Sequence, residues 1–152
     1  MPSLPKELVV DASIIFSFFK ADSVRRHLIE ELLNSECRLI SPEYVLSELL
    51  LDKEKIKRYS GISELEFSFL FSILEKEIRF KLFPKDSYGS FLPEANKISP
   101  HAEGTKDDPY FALALAKNCP IWSDEKAFKK QDKVKVVTTS ELREEVDEMS
   151  NH

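Results

Sequence analysis

Five carboxylates stand at positions where side chains could do chemistry. Asp11 closes the apolar run ELVV, Glu48 sits in YVLSELL, Asp107 and Asp108 precede Pro109, and Asp124 follows Ile121-Trp122-Ser123. Carboxylates cannot crowd together without a cation, because each raises its neighbours' pKa values. An all-oxygen set without histidine or cysteine favours a hard ion, Mg2+ or Mn2+. Such ions bind phosphate oxygens and activate water, and a pair at about 3.5–4 Å can stabilise both oxygens of a phosphodiester displacement. The chemistry these acids suit is metal-dependent phosphodiester hydrolysis.

Each acid also has a structural role open to it. Asp108 precedes a proline, which disfavours the α region and makes it a helix N-cap. Asp107 could serve the dipole of the same helix. Asp124 could cap the segment EKAFKK, and Glu48 could pair with a lysine. Asp11 is harder to explain structurally, since an unpaired carboxylate at the end of an apolar strand is costly.

The elements that must position these acids follow from patterning. The runs at 7–11, 37–40, 78–83, 120–122 and 134–137 read as short strands. Between them lie helical stretches: IIFSFF with Ser13 as cap, 22–34, a helix starting at Ser41-Pro42, one opened by the capping box Ser63-x-x-Glu66, a short one near 87–97, PYFALALAKN at 109–118, EKAFKK, and one opened by Thr138-x-x-Glu141. Strands separated by helical crossovers imply an α/β fold with a central, mostly parallel sheet of four to five strands between two helical layers. In such sheets ligands collect beyond the carboxyl ends of the strands, where Asp11, Glu48, Asp107 and Asp124 are expected to meet. The chain reads as one domain over 1–147, with 148–152 a fraying tail.

Composition narrows the classes. The 152 residues carry a net charge of −5, 32% charged and 42% hydrophobic residues, as expected of one soluble domain. Only three glycines occur, and neither a dinucleotide nor a P-loop fingerprint is present. Cys37 and Cys119 lack metal-ligand spacing and read as free thiols of a reducing, cytoplasmic protein. The longest central run without a charge, 67–74, is too short for a bilayer. Lys126, Lys129 and Lys130, with Lys133 and Lys135, could hold phosphates beside Asp124 or form a solvated face. The helix opened by Ser63 has two apolar stripes. Phe67, Leu70, Phe71 and Leu74 form one; Leu65, Phe69 and Ile73 form the other, and one of them needs a second partner.

VVDAS at 9–13, LSELL at 46–50, DDPYFALALA at 107–116 and IWSDEKAF at 121–128, closed by VKVVTTSEL, stand in an order that resembles the PIN-domain ribonucleases, which include many VapC-type toxins. The resemblance covers nearly the whole chain; residues 52–104 form a longer middle than in compact toxins. It implies that Asp11, Glu48, Asp107 and Asp124 are the acidic catalytic and metal positions, with Asp108 the register alternative to Asp107. Ser13 and Ser123 match small hydroxyl positions near the metal. It further implies Mg2+ or Mn2+ as cofactor, RNA as substrate, a homodimer, and an antitoxin partner. A PIN-like module without catalysis and a metal-dependent phosphatase for small esters are the competing functions.

Overall fold

The computed structural model describes residues 4–76, 80–100 and 105–150. Among these residues five strands form one sheet: β1 (Glu7–Val10), β2 (Arg38–Pro42), β3 (Phe80–Phe83), β4 (Ile121–Trp122) and β5 (Val136–Val137). Every pairing is parallel, in the order β3-β2-β1-β4-β5. The chain therefore builds outward from β1 in one direction, then returns to add β4 and β5 on the other side. β1 and β4 flank the point where the winding reverses, the place in open α/β sheets where a crevice forms beyond the carboxyl ends.

Among the described residues eight helices surround the sheet: α1 (Ala12–Phe16), α2 (Val24–Leu33), α3 (Tyr44–Leu51), α4 (Lys53–Ser60), α5 (Glu64–Lys76), α6 (Leu92–Ile98), α7 (Asp108–Lys117) and α8 (Thr139–Ser150). Leu8, Val9 and Val10 are fully buried, as are Ile121 and Trp122, which is why β1 and β4 read as unbroken apolar runs. α7 is buried from Tyr110 through Ala114. Its Phe111 meets Phe128 at 5.0 Å between ring centroids, so Phe128 belongs to the core.

Several local expectations are corrected. Ser41 and Pro42 do not start a helix; both lie in β2, opposite Leu82 and Phe83 of β3. The buried Ser41 hydroxyl donates to the Val10 carbonyl at 2.6 Å, and Pro42 lies beyond Ile40, the last β2 residue paired with β1, so its missing N–H breaks no ladder on that side. Helix α3 begins only after Glu43. Ser13 is inside α1, whose N-cap is Asp11. The short helix expected near 87–97 forms as α6, later than its expected start and preceded by two 3-10 turns, and EKAFKK is a 3-10 turn over Lys126–Lys130. The strand expected over 78–83 is described from Phe80 onward; 78 and 79 lie outside the described residues. α8 continues to Ser150, three residues into the tail expected to fray.

Both capping boxes form. The Ser63 hydroxyl accepts from the Glu66 N–H while Glu66 accepts from the Ser63 N–H, each at 3.1 Å. Thr138 and Glu141 repeat the exchange. Gly61 ends α4 at φ 66°, a left-handed conformation that glycine adopts without strain. On α5, Phe67 and Leu74 face the core while Leu65 and Phe69 stay 80% and 65% exposed. No helix among the described residues is long and apolar enough to cross a membrane.

Candidate functional site

Asp11 is the first residue after the central strand. Its N–H donates to the Trp122 carbonyl at 3.1 Å, so it is tied to the neighbouring strand at the winding reversal. Its side chain is only 5% exposed, and one carboxyl oxygen accepts from Ser123 at 2.8 Å and from Ser13 at 2.9 Å. Burial nonetheless raises its pKa, with Glu125 adding repulsion against the two hydroxyl donors.

Glu48 points from the buried face of α3 and accepts from the Tyr110 hydroxyl of α7. Burial raises its pKa; Tyr110 and Lys106 oppose the rise, and Asp11 and Asp52 add to it. Asp107 is the N-cap residue of α7. Burial, with repulsion from Asp11, Glu125 and Glu48, pushes its carboxyl up to about 7. Asp11, Glu48 and Asp107, from three separate segments, thus sense one another electrostatically, and Glu125 joins them.

Asp108 has other partners. It is buried and accepts from Asn96 at 2.8 Å and from Ser99, so it clamps α6 to the start of α7 rather than capping α7. Asp124 does not act as a helix cap for EKAFKK, nor are the other acids its main neighbours. One oxygen accepts from Arg25 and from the Thr139 hydroxyl at 2.6 Å, the other from the Thr139 N–H at 2.7 Å. Burial opposes its ionisation, but Thr139 and Arg25 outweigh that and hold its pKa below the ordinary value.

Of the three lysines, Lys129 pairs with Glu141 at 2.7 Å. It also lines a groove with Lys133 and Lys135 beside Pro120, at the amino ends of β4 and β5 and away from Asp11. Lys126 and Lys130 are exposed. The thiols of Cys37 and Cys119 are free, and burial pushes them up to about 11 and about 12, which leaves them protonated and unreactive. Sequence reasoning missed Glu125, the donor role of Tyr110 and the Arg25–Thr139 grip on Asp124. Only Glu125 carried a visible signal, its adjacency to Asp124.

Among the described residues no group of three or more His, Cys, Asp or Glu is close enough to hold a metal ion as it stands. The chemistry of the donors still suits one. They are all oxygen, and their pKa values are raised by burial and mutual repulsion that a cation would relieve. The set fits a hydrated hard ion, bound partly through water as Mg2+ commonly is, rather than a closed cage.

The comparisons with known proteins agree on the fold. VapBC2 from Rickettsia felis, in a crystal structure bound to a DNA fragment from their promoter, superposes with a TM-score of 0.60 at 17% identity, over 87% of this chain and 98% of that one. FitAcB from Neisseria gonorrhoeae gives a TM-score of 0.61 at 16% identity, over 88% and 98%. No curated protein matches significantly. The sequence profile of the PIN domain matches residues 9–147, so it runs from within β1, through all three mutually repelling acids, into α8. With that match over nearly its full length and this parallel sheet beneath it, the chain belongs to the PIN domain family.

Proposed function

We propose that the protein is a divalent-metal-dependent endoribonuclease whose centre is built on Asp11, Glu48 and Asp107, with Asp124 and Glu125 at its edge. The observation that carries the reading is the pair of buried carboxylates, Asp11 after β1 and Glu48 bonded to Tyr110 of α7, with Asp107 at the start of that same helix; burial and repulsion from Asp11, Glu125 and Glu48 push the Asp107 carboxyl up to about 7. A centre of this kind is poorly stable empty and well suited to a cation. Bound there, Mg2+ or Mn2+ would supply an activated water and neutralise charge on the phosphate.

The chain's own residues do the rest. Asp11 is fixed by Ser13 and Ser123, which both donate to one of its carboxyl oxygens. Tyr110 keeps its proton, because burial and Glu48 raise its pKa well above the ordinary value, and so holds Glu48 in one orientation. Lys106 is close enough to Asp107 and Glu48 to lower both pKa values. Purified protein should cleave single-stranded RNA with Mg2+ or Mn2+ and stop with EDTA. Cleavage that survives EDTA, after controls for contaminating nuclease, removes the reading.

The acids also set a pH dependence for the metal-free protein. Asp107 titrates near 3.8 unfolded and about 7 folded. Between those values the folded state keeps a proton that the unfolded chain has released. Stability from this group is therefore full below pH 3.8 and lost as pH rises through 7; Asp11 and Glu48, also raised, act the same way. Discounted for the partly exposed position of Asp107, the loss is about 1–2 kcal/mol. Metal-free Tm should fall by about 2–8 °C between pH 5 and 8, and Mg2+ should restore more at pH 8 than at pH 5. A flat profile, or equal restoration at both, contradicts it.

Two partner assignments belong to the same proposal. The structures this fold resembles are named as VapBC2 and FitAcB complexes, which supports a role as the toxin of a toxin–antitoxin pair in the cytoplasm. The exposed stripe Leu65, Phe69 and Ile73 on α5 supports a homodimer joined across a two-fold axis. Light scattering at micromolar concentration should give a dimer, and Leu65→Glu with Phe69→Glu should give a folded monomer. A monomeric parent protein rules out the dimer; a double variant that stays dimeric moves the interface elsewhere.

A further inference from the structure

Asp124 is held by a charged contact from α2. Arg25 Nε donates to Asp124 Oδ2 at 2.9 Å and its NH2 group lies 2.8 Å from the same oxygen. Its NH1 group donates to Ser17 Oγ at 3.2 Å, which fixes the guanidinium from behind. The Thr139 hydroxyl donates to Oδ2 as well, and the Thr139 N–H to Oδ1. Trp122 Nε1 in turn donates to the Thr139 hydroxyl at 3.0 Å. Each carboxylate oxygen offers about two lone-pair directions; three of these donors crowd Oδ2 and one meets Oδ1. A cation that takes Asp124 through Oδ2 must displace one of the three. The Thr139 donors are held by α8 and by Trp122. Arg25 is the donor that a divalent ion also repels, and its side chain is one-third exposed, so it can leave into solvent.

We propose that Arg25 is a positioning residue that competes with the divalent ion for Asp124, withholding that carboxylate from the acid centre until the centre is loaded. The proposal rests on the metal-centre reading above and adds to it an exchange step: Asp124 passes from the guanidinium to the ion, and Arg25 is released. A purely structural ion pair would make the opposite forecast for metal binding, because its loss would loosen Asp124 and α2.

The test is calorimetric titration of the full chain with Mn2+ alone, without RNA, with circular dichroism to confirm folding. Arg25→Gln should bind Mn2+ about two- to fivefold more tightly than the parent, the range expected when a partly exposed competing ion pair is removed. Arg25→Lys, which keeps the charge but loses the two-nitrogen contact, should fall between and serves if Arg25→Gln does not fold. In an Asp124→Asn background the gain should vanish. Unchanged or weaker binding in Arg25→Gln, or in Arg25→Lys where only that variant folds, overturns the proposal. So does a gain that persists without Asp124. If the parent binds Mn2+ and Asp11→Asn abolishes it, such a result removes this inference alone. If parent binding ignores Asp11→Asn, the metal centre itself is wrong and the inference falls with it.

Discussion

Asp11→Asn is expected to reduce RNA cleavage by more than about a hundredfold while the protein stays folded. Loss of an outer partner of a metal ligand typically costs about 10–100-fold, and Asp11 is proposed to be a ligand itself. The substitution keeps the carbonyl oxygen that Ser13 and Ser123 address. It turns the other oxygen into a donor, and one acceptor contact with the Ala12 N–H is at risk. Against that loss, a buried charge disappears. The two effects are each about 1–2 kcal/mol and opposed, so the Tm of the metal-free protein should move little. Steady-state cleavage rates with a melting curve on the same sample check both halves. Full activity in a folded Asp11→Asn protein would sink the mechanism.

The second large effect separates two adjacent residues. Asp107→Asn should abolish most cleavage and raise the metal-free Tm at pH 8, because it removes a carboxylate crowded by Asp11, Glu125 and Glu48. Asp108→Asn should do the reverse. Asp108 accepts from Asn96 with one oxygen and from Ser99 with the other, and a carboxamide can satisfy only one of these donors. The cost is about 2–3 kcal/mol for a buried group left mismatched, or a Tm lower by about 4–12 °C. Cleavage by the folded fraction should remain. An inactive Asp108→Asn protein of unchanged Tm, beside an active Asp107→Asn protein, would exchange the roles of the two residues.

What was legible in the sequence was what local rules control. The capping boxes at Ser63 and Thr138, the glycine stop at 61 and the apolar strands β1 and β4 all follow from neighbours within a few residues, and all form. The two stripes of α5 were visible too, since helical spacing alone defines them; which one faces inward required the tertiary fold. Ser41-Pro42 misled because the same dipeptide that starts a helix can end a strand, and pairing with β3 decided between them.

The candidate site divides along the same line. That Asp11 ends a central strand is a local fact. That Asp108 holds α6 and Asp107 does not depends on Asn96 and Ser99, which no spacing rule links to it. The partner of Asp124 is more remote still: Arg25 lies 99 residues away in the chain. A strand-end aspartate gives no sign of whether its charge is open or already matched by an arginine from another helix.

The most direct measurement is anomalous diffraction at the manganese edge from crystals soaked in Mn2+ at pH 8. The account predicts a peak within coordinating distance, about 2–2.5 Å, of carboxyl oxygens of Asp11 and Asp107, with Glu48 close by, at the carboxyl end of β1. No peak there at saturating Mn2+, or a peak only at some other place on the chain, would contradict it.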